Sequence, residues 1–149
     1  MSIVMTPRHA HIMLVEDSAA DVALAREIFK EGGLSFDLQV AGDGVEALEM
    51  LRREGEHAQL EMPDFILLDL NMPRMDGREF LSILKADARL KRIPVLVMST
   101  SESPRDVLTC YELQANAYIA KPLDIDDFVS LVESIRDFWC RFALVPPKS

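Results

Sequence analysis

Cysteine is scarce in this chain. Cys110 and Cys140 are the only two, and they stand in no metal-ligand spacing. A disulfide scaffold or a cysteine-held metal module is therefore excluded, and reduced structural thiols in a cytoplasmic setting are expected. The first residues lack a long apolar core, and no run approaches ~18 apolar residues, so neither a secretory signal nor a membrane span is expected. Basic charge is also short: 16 Lys and Arg face 25 Asp and Glu, for a formal charge of −9. A surface this acidic is poorly suited to a nucleic-acid backbone and better suited to metal ions or basic protein surfaces. There are no internal repeats and no low-complexity tracts. What is present is a hydrophobic fraction of 49% in 149 residues, enough for one domain with a real core.

Apolar runs alternate with helical patterns along the whole chain. Residues 11–15 (HIMLV) form a short apolar run that stops at Glu16 and Asp17. Ser18 to Asp21 reads as a capping box, and the helix it opens runs to Lys30 before Gly32 and Gly33 close it. Residues 36–41 read as a second strand and 43–53 as a second helix, with Asp43 and Glu46 as its capping pair. Residues 65–68 (FILL) form a strand running into Asp69. Residues 77–86 read as a third helix and 94–98 (PVLVM) as a fourth strand. Ser103 and Pro104 open a fourth helix, residues 117–120 (AYIA) form a fifth strand, and a last helix spans about 124–142. Strand-helix alternation with strands this short and apolar predicts an α/β fold: a parallel sheet covered on both faces. Right-handed crossovers leave few topologies, and one of them is the doubly wound, flavodoxin-like strand order 2-1-3-4-5 with five flanking helices. Ligands of such sheets bind beyond the carboxyl ends of the strands, at the switch point between strands 1 and 3.

The polar residues fall where that rule places a site. Glu16 and Asp17 end strand 1, Asp69 ends strand 3, Ser99 and Thr100 end strand 4, and Lys121 ends strand 5. Taken singly, each has an ordinary explanation as a cap, a turn residue or a solvated lysine. Their joint occurrence at four strand ends sets them apart. Three carboxylates in one crevice need compensation, which a hard divalent cation such as Mg²⁺ supplies. Lys121 offers an ammonium for a phosphoryl oxygen or a carboxylate, and Ser99 a hydroxyl donor. Two other classes use similar geometry. A flavin carrier wants a Ser- and Gly-rich phosphate loop after strand 1, where this chain has Glu16 and Asp17. A phosphatase that forms an aspartyl-phosphate wants a second acid two positions after the nucleophile, where this chain has Asn71. A group that accepts phosphate without such an acid is a switch rather than an enzyme.

Four segments carry a family resemblance: LVEDS (14–18), ILLDLNMPRMDG (66–77), PVLVMSTS (94–101) and AYIAKP (117–122). Over residues 9–142 the chain resembles a response-regulator receiver domain, with residues 1–8 and 143–149 as short tails. GREFL, LKRIPVLVMSTS, YELQANAYIAKP and ESIRDFW further resemble the small stand-alone regulators paired with phytochrome-type histidine kinases. The resemblance implies that Asp69 attacks a phosphohistidine of the kinase in line. It implies that Asp17, Asp69 and the main-chain carbonyl of Asn71 ligate Mg²⁺, with Glu16 one water further out. Lys121 and Ser99 would contact the phosphoryl group. Ser99 would then move inward and free space for Tyr118, the aromatic switch position; the plain alternative for Tyr118 is an ordinary half-buried strand tyrosine. A cis Lys121–Pro122 bond is also implied. The chain departs from the usual pattern at Thr100, which commonly is Ala, and this puts the dephosphorylation rate in doubt.

Only about seven residues follow Phe142, so no effector domain is expected and output must be a protein contact. In the last helix, Ile125, Phe128, Val129, Leu131, Val132, Ile135, Phe138, Trp139 and Phe142 cover an arc of about 180°, wider than the roughly 100° stripe one core contact needs. The surplus predicts either a helix end packed on its own domain or a homodimer through the last helix with strand 5 or helix 4.

Overall fold

The central strands of the chain are short, unbroken apolar runs of the kind that a sheet covered on both faces buries, and each α-helix is opened by a polar residue. The computed structural model describes residues 6–148. Strands β1 (Ala10–Val15), β2 (Phe36–Ala41), β3 (Phe65–Asp69), β4 (Val95–Ser99) and β5 (Ala117–Ala120) form one parallel sheet in the order β2-β1-β3-β4-β5. Helices α1 (Ala19–Glu31), α2 (Gly44–Leu51), α3 (Gly77–Ala86), α4 (Pro104–Glu112) and α5 (Ile125–Asp137) alternate with the strands. The expected fold class and strand order are those observed.

Strand alternation divides the core into two layers. Met13, Val15, Ile66, Leu68, Val95 and Val97 face α2, α3 and α4, where Leu48, Phe80, Leu84 and Cys110 cover them. Ile12, Leu14, Phe65, Leu67 and Leu96 face α1 and α5, under Ile28, Phe29, Phe128, Val132 and Ile135. The central strands β3 and β4 are buried on both faces, whereas edge strands β2 and β5 are half-buried.

The helix starts follow their caps. Ser18 accepts from Asp21 N–H, Asp43 from Glu46, Asp76 from Arg78 and Glu79, and Asp124 from Asp127. Some boundaries differ from expectation. β1 begins one residue early, at Ala10. β4 begins at Val95, because Pro94 has no N–H to give the ladder. α2 stops at Leu51, since Arg53 takes a left-handed φ of 57°, and a short 3₁₀ turn at Gly55–His57 follows unannounced. The last helix is α-helical only to Asp137. Phe138–Phe142 forms one π turn, with Ala143 N–H bonded to the Phe138 carbonyl at 2.7 Å.

Of the expected terminal tails, residues 1–5 and 149 lie outside the described residues. Residues 143–148 run along the body: Arg8 donates to the carbonyls of Trp139 and Ala143, and Lys148 Nζ pairs with Glu61 at 3.5 Å and Asp64 at 3.3 Å.

Candidate functional site

The strand order puts the carboxyl ends of β1 and β3 side by side, and the polar residues that follow them meet there. Glu16, just past β1, is anchored by its N–H on the Ala41 carbonyl at 2.9 Å, and its side chain is only 5% exposed. Asp17 is exposed, and its N–H donates to Glu16 Oε2 at 3.0 Å. Asp69 closes β3 half-exposed, and its Oδ1 accepts the Asn71 N–H at 3.3 Å. One carboxylate oxygen from each of Glu16, Asp17 and Asp69 lies within 4.8 Å of the others. Burial, reinforced by a hydrogen bond and repulsion from Asp69 and only partly offset by Lys121, pushes the Glu16 carboxyl up to about 8. Hard oxygen donors gathered so closely that one of them resists ionisation fit a divalent cation, whose charge would offset theirs.

Lys121 reaches into the crevice from the end of β5. Its Nζ lies 3.5 Å from Glu16 Oε1 and 3.7 Å from Asp21 Oδ2. Its N–H is held on the Ser99 carbonyl at 2.7 Å. The cis Lys121–Pro122 bond implied by the resemblance is not found: no described peptide bond is cis. Trans is the ordinary preference of an X–Pro bond, by about 0.5–1 kcal/mol. Beneath the carboxylates a cavity of about 50 Å³ opens between the sheet and α1, lined by Leu14, Leu24, Phe29 and Met98.

Ser99 is 1% exposed, and its Oγ accepts the Ser101 N–H at 3.1 Å. Tyr118, half-buried in β5, donates its hydroxyl to the Ser101 carbonyl at 2.8 Å. Ser101 thus joins the hydroxyl at the end of β4 to the aromatic residue on β5. Its own Oγ donates to Asp106 at 2.6 Å, and Asp106 in turn pairs with Arg78 of α3 at 3.2 Å. Thr100 is exposed.

The loop after β3 is held from two sides. A Cβ on Gly77 would stand 2.6 Å from Leu70 Cα and 2.7 Å from the Asp69 carbonyl, so only glycine lets α3 start against the end of β3. Arg74, with φ 60°, forms a two-pronged bond with Asp43 at 2.6 and 3.0 Å. Burial opposes ionisation of Asp43, but the Arg74 guanidinium outweighs it and holds the carboxyl below the usual carboxylate range.

The residues expected from the sequence at the strand ends therefore come together: Glu16, Asp17, Asp69 and Lys121 in one cluster, Asn71 at its rim, and Ser99 joined to Tyr118 through Ser101. Asp21, Ser101 and the Arg74–Asp43 clamp were not anticipated. In the sequence Asp21 stands out only as part of a helix cap. For Ser101 and Arg74 no local pattern announces a partner that lies in another element.

Comparison with known proteins agrees with this geometry. The pattern of the family "Response regulator receiver domain" matches residues 12–133. The response regulator Rcp1 of Synechocystis sp. is 41% identical over 135 residues, covering 91% of this chain and 92% of that protein. The crystal structure of the phosphorylated cyanobacterial phytochrome response regulator RcpA superposes with a TM-score of 0.86 at 42% identity, covering 93% of this chain and 99% of RcpA. The Mn²⁺-bound form of Rcp1 gives 0.83 at 40% identity, covering 93% of this chain and 99% of Rcp1.

Proposed function

This chain belongs to the response regulator receiver domain family, and from that premise we propose that it is a stand-alone phosphorelay switch whose phosphoacceptor is Asp69. The observation that carries the reading is the convergence of the Glu16, Asp17 and Asp69 carboxylates within 4.8 Å of one another, with Lys121 reaching the same cluster. The phosphoryl donor is the phosphohistidine of a histidine kinase, of the phytochrome type given the likeness to the phytochrome response regulator RcpA. A carboxylate oxygen of Asp69 attacks phosphorus in line, the P–N bond breaks, and the imidazole leaves with the phosphoryl group transferred as an acyl phosphate. Asp17, Asp69 and the Asn71 carbonyl would hold Mg²⁺, with Glu16 behind them. When bound, the ion neutralises charge that gathers on the phosphoryl oxygens.

The chain's own groups do the rest. Lys121 exchanges its pairing with Glu16 for a phosphoryl oxygen. Ser99 donates its hydroxyl to another, which draws it off the Ser101 N–H. That movement reaches Tyr118 through the Ser101 carbonyl and changes the face made by β5, α4 and α5. Asn71 offers no acid–base group two positions after Asp69, so the acyl phosphate persists as a signal rather than turning over, and the domain acts as a switch rather than an enzyme.

Output passes to protein surfaces, in the cytoplasm and without nucleic acid or membrane. Among the described residues no helix is long and apolar enough to cross a membrane. The receiver unit spans residues 9–142, with the flanking segments as its tails. On α4 and around α5 the large apolar side chains Leu108, Tyr111, Ile125, Phe138 and Phe142 are roughly half or more exposed. Exposure of this extent supports a homodimer through the last helix and its neighbours.

The test of phosphate acceptance is incubation of the full chain with acetyl phosphate and Mg²⁺. An acid-stable, base-labile acyl phosphate at one per chain is expected, with no label in Asp69→Asn. Equal labelling of that variant, or multiple turnover of a small phosphoester, overturns the reading.

A further inference from the structure

At the opposite pole of the sheet, far along the strands from Asp69, two histidines share one carboxylate. His9 and His11 are two residues apart leading into and within β1, so they project from the same face of the strand. The register of β1 with β2 places Asp37 directly across from His11. His9 Nε2 lies 3.0 Å from Asp37 Oδ2, and His11 Nδ1 lies 3.6 Å from the same oxygen. Ligand atoms at the corners of a tetrahedral zinc site, with bonds of about 2.0–2.2 Å, stand about 3.4 Å apart. Both histidine nitrogens already sit near that spacing from the Asp37 oxygen, and one ligand atom of each of the three residues lies within 4.8 Å of the others.

The other nitrogens face polar groups as well. His9 Nδ1 lies within hydrogen-bond reach of Ser35 Oγ, at 2.6 Å, and His11 Nε2 faces Glu61 Oε1 from farther off, at 3.7 Å. A hydrogen bond to the outer nitrogen, as at His9, is how metal-bound histidines are held in one tautomer. The two rings meet edge to face at 5.5 Å between centroids. Simple ion pairing explains the group less well. Asp37 is 66% exposed and His9 46%, and pairs so open to water contribute little. Lys148, on the Glu61 side of the group, is engaged by Glu61 and Asp64.

We propose that His9, His11 and Asp37 form a binding site for a borderline transition-metal ion of the Zn²⁺ class, with Ser35 and Glu61 as orienting partners and a fourth position open to solvent. Two imidazoles and one carboxylate favour zinc, cobalt or nickel over Mg²⁺, which prefers oxygen alone. The two poles of the domain would then bind two kinds of ion, sorted by ligand chemistry.

The experiment titrates Zn²⁺ into the full chain in a large excess of Mg²⁺, so that the carboxylate cluster beyond β1 and β3 is occupied. Binding is followed by calorimetry and by the imidazole NMR signals, and Co²⁺ is used in parallel for its visible absorption. The expected result is one Zn²⁺ per chain, shifting the rings of His9 and His11 together while His57 stays unmoved. His11→Ala and Asp37→Asn should abolish stoichiometric binding, and Ser35→Ala should weaken it about tenfold. His9→Gln, at an exposed position, guards against loss through misfolding. Acetyl-phosphate labelling of all four variants should match the parent. Absence of one-to-one binding, binding unchanged in His9→Gln and Asp37→Asn, or loss of binding only in Asp17→Asn overturns the proposal.

Discussion

Glu16 couples the site to pH. Its carboxyl titrates near 4.5 in an unfolded chain and is pushed up to about 8 in the fold by burial and by Asp69. Between those values the folded protein holds a proton that the unfolded one has released. The Glu16 contribution to stability without metal is therefore fully present below pH about 4.5 and is lost as pH rises through about 8. Urea midpoints measured in chelator should decline across that window, and Glu16→Gln should flatten the decline; a midpoint rising with pH there contradicts the assignment. Gly77 is the second residue on which the site depends. Its missing Cβ leaves room for Leu70 Cα and the Asp69 carbonyl, so Gly77→Ala should cost about 1–3 kcal/mol of unfolding free energy and reduce Asp69 labelling. Wild-type stability and labelling in that variant would show that α3 can shift without disturbing the end of β3.

Among elements, the loop from β4 to α4 carries the link between Ser99 and Tyr118. Tyr118→Phe removes the bond to the Ser101 carbonyl, worth roughly 0.5–1.5 kcal/mol, but leaves the carboxylates alone. Acetyl-phosphate labelling should persist while amide exchange at residues 100–103 quickens; unaltered exchange would mean that Tyr118 does not hold the loop. The strands were legible in the sequence because a sheet covered on both faces needs unbroken apolar runs, and FILL before Asp69 and PVLVM before Ser99 supply them. The site was legible for the same reason, since its residues directly follow those runs. Contacts made by tertiary approach were not. Lys121 and Glu16 are 105 positions apart, and Arg74 and Asp43 are 31 apart, with no periodic pattern to join them. The end of α5 escaped for a geometric reason. A projection at about 100° per residue assumes an unbroken α-helix, whereas the π turn at Phe138–Phe142 resets the phase. Cys140 is buried as a result and Trp139 packs near Phe65, with ring centroids 6.1 Å apart, while Phe138 and Phe142 face outward.

At the scale of the whole molecule, the acidic surface and the exposed apolar side chains around α5 point to protein partners. Phe138 and Phe142 are 57% and 64% exposed, so replacing both with Ser should alter monomer stability by no more than about 1 kcal/mol in total. Light scattering at tens of micromolar should give a dimer mass for the parent and a monomer mass for the double variant. A monomeric parent, with and without a phosphate mimic, would remove the dimer from the account. The central claim concerns one atom group, the Asp69 carboxylate, and one measurement reaches it directly. After acetyl phosphate and Mg²⁺, borohydride reduction of the full chain followed by peptide mass mapping converts an acyl phosphate to homoserine at the modified position. Homoserine is expected at position 69 and at no other carboxylate, Glu16 and Asp17 included. Homoserine elsewhere, or none at 69 in protein that has taken up phosphate, would contradict it.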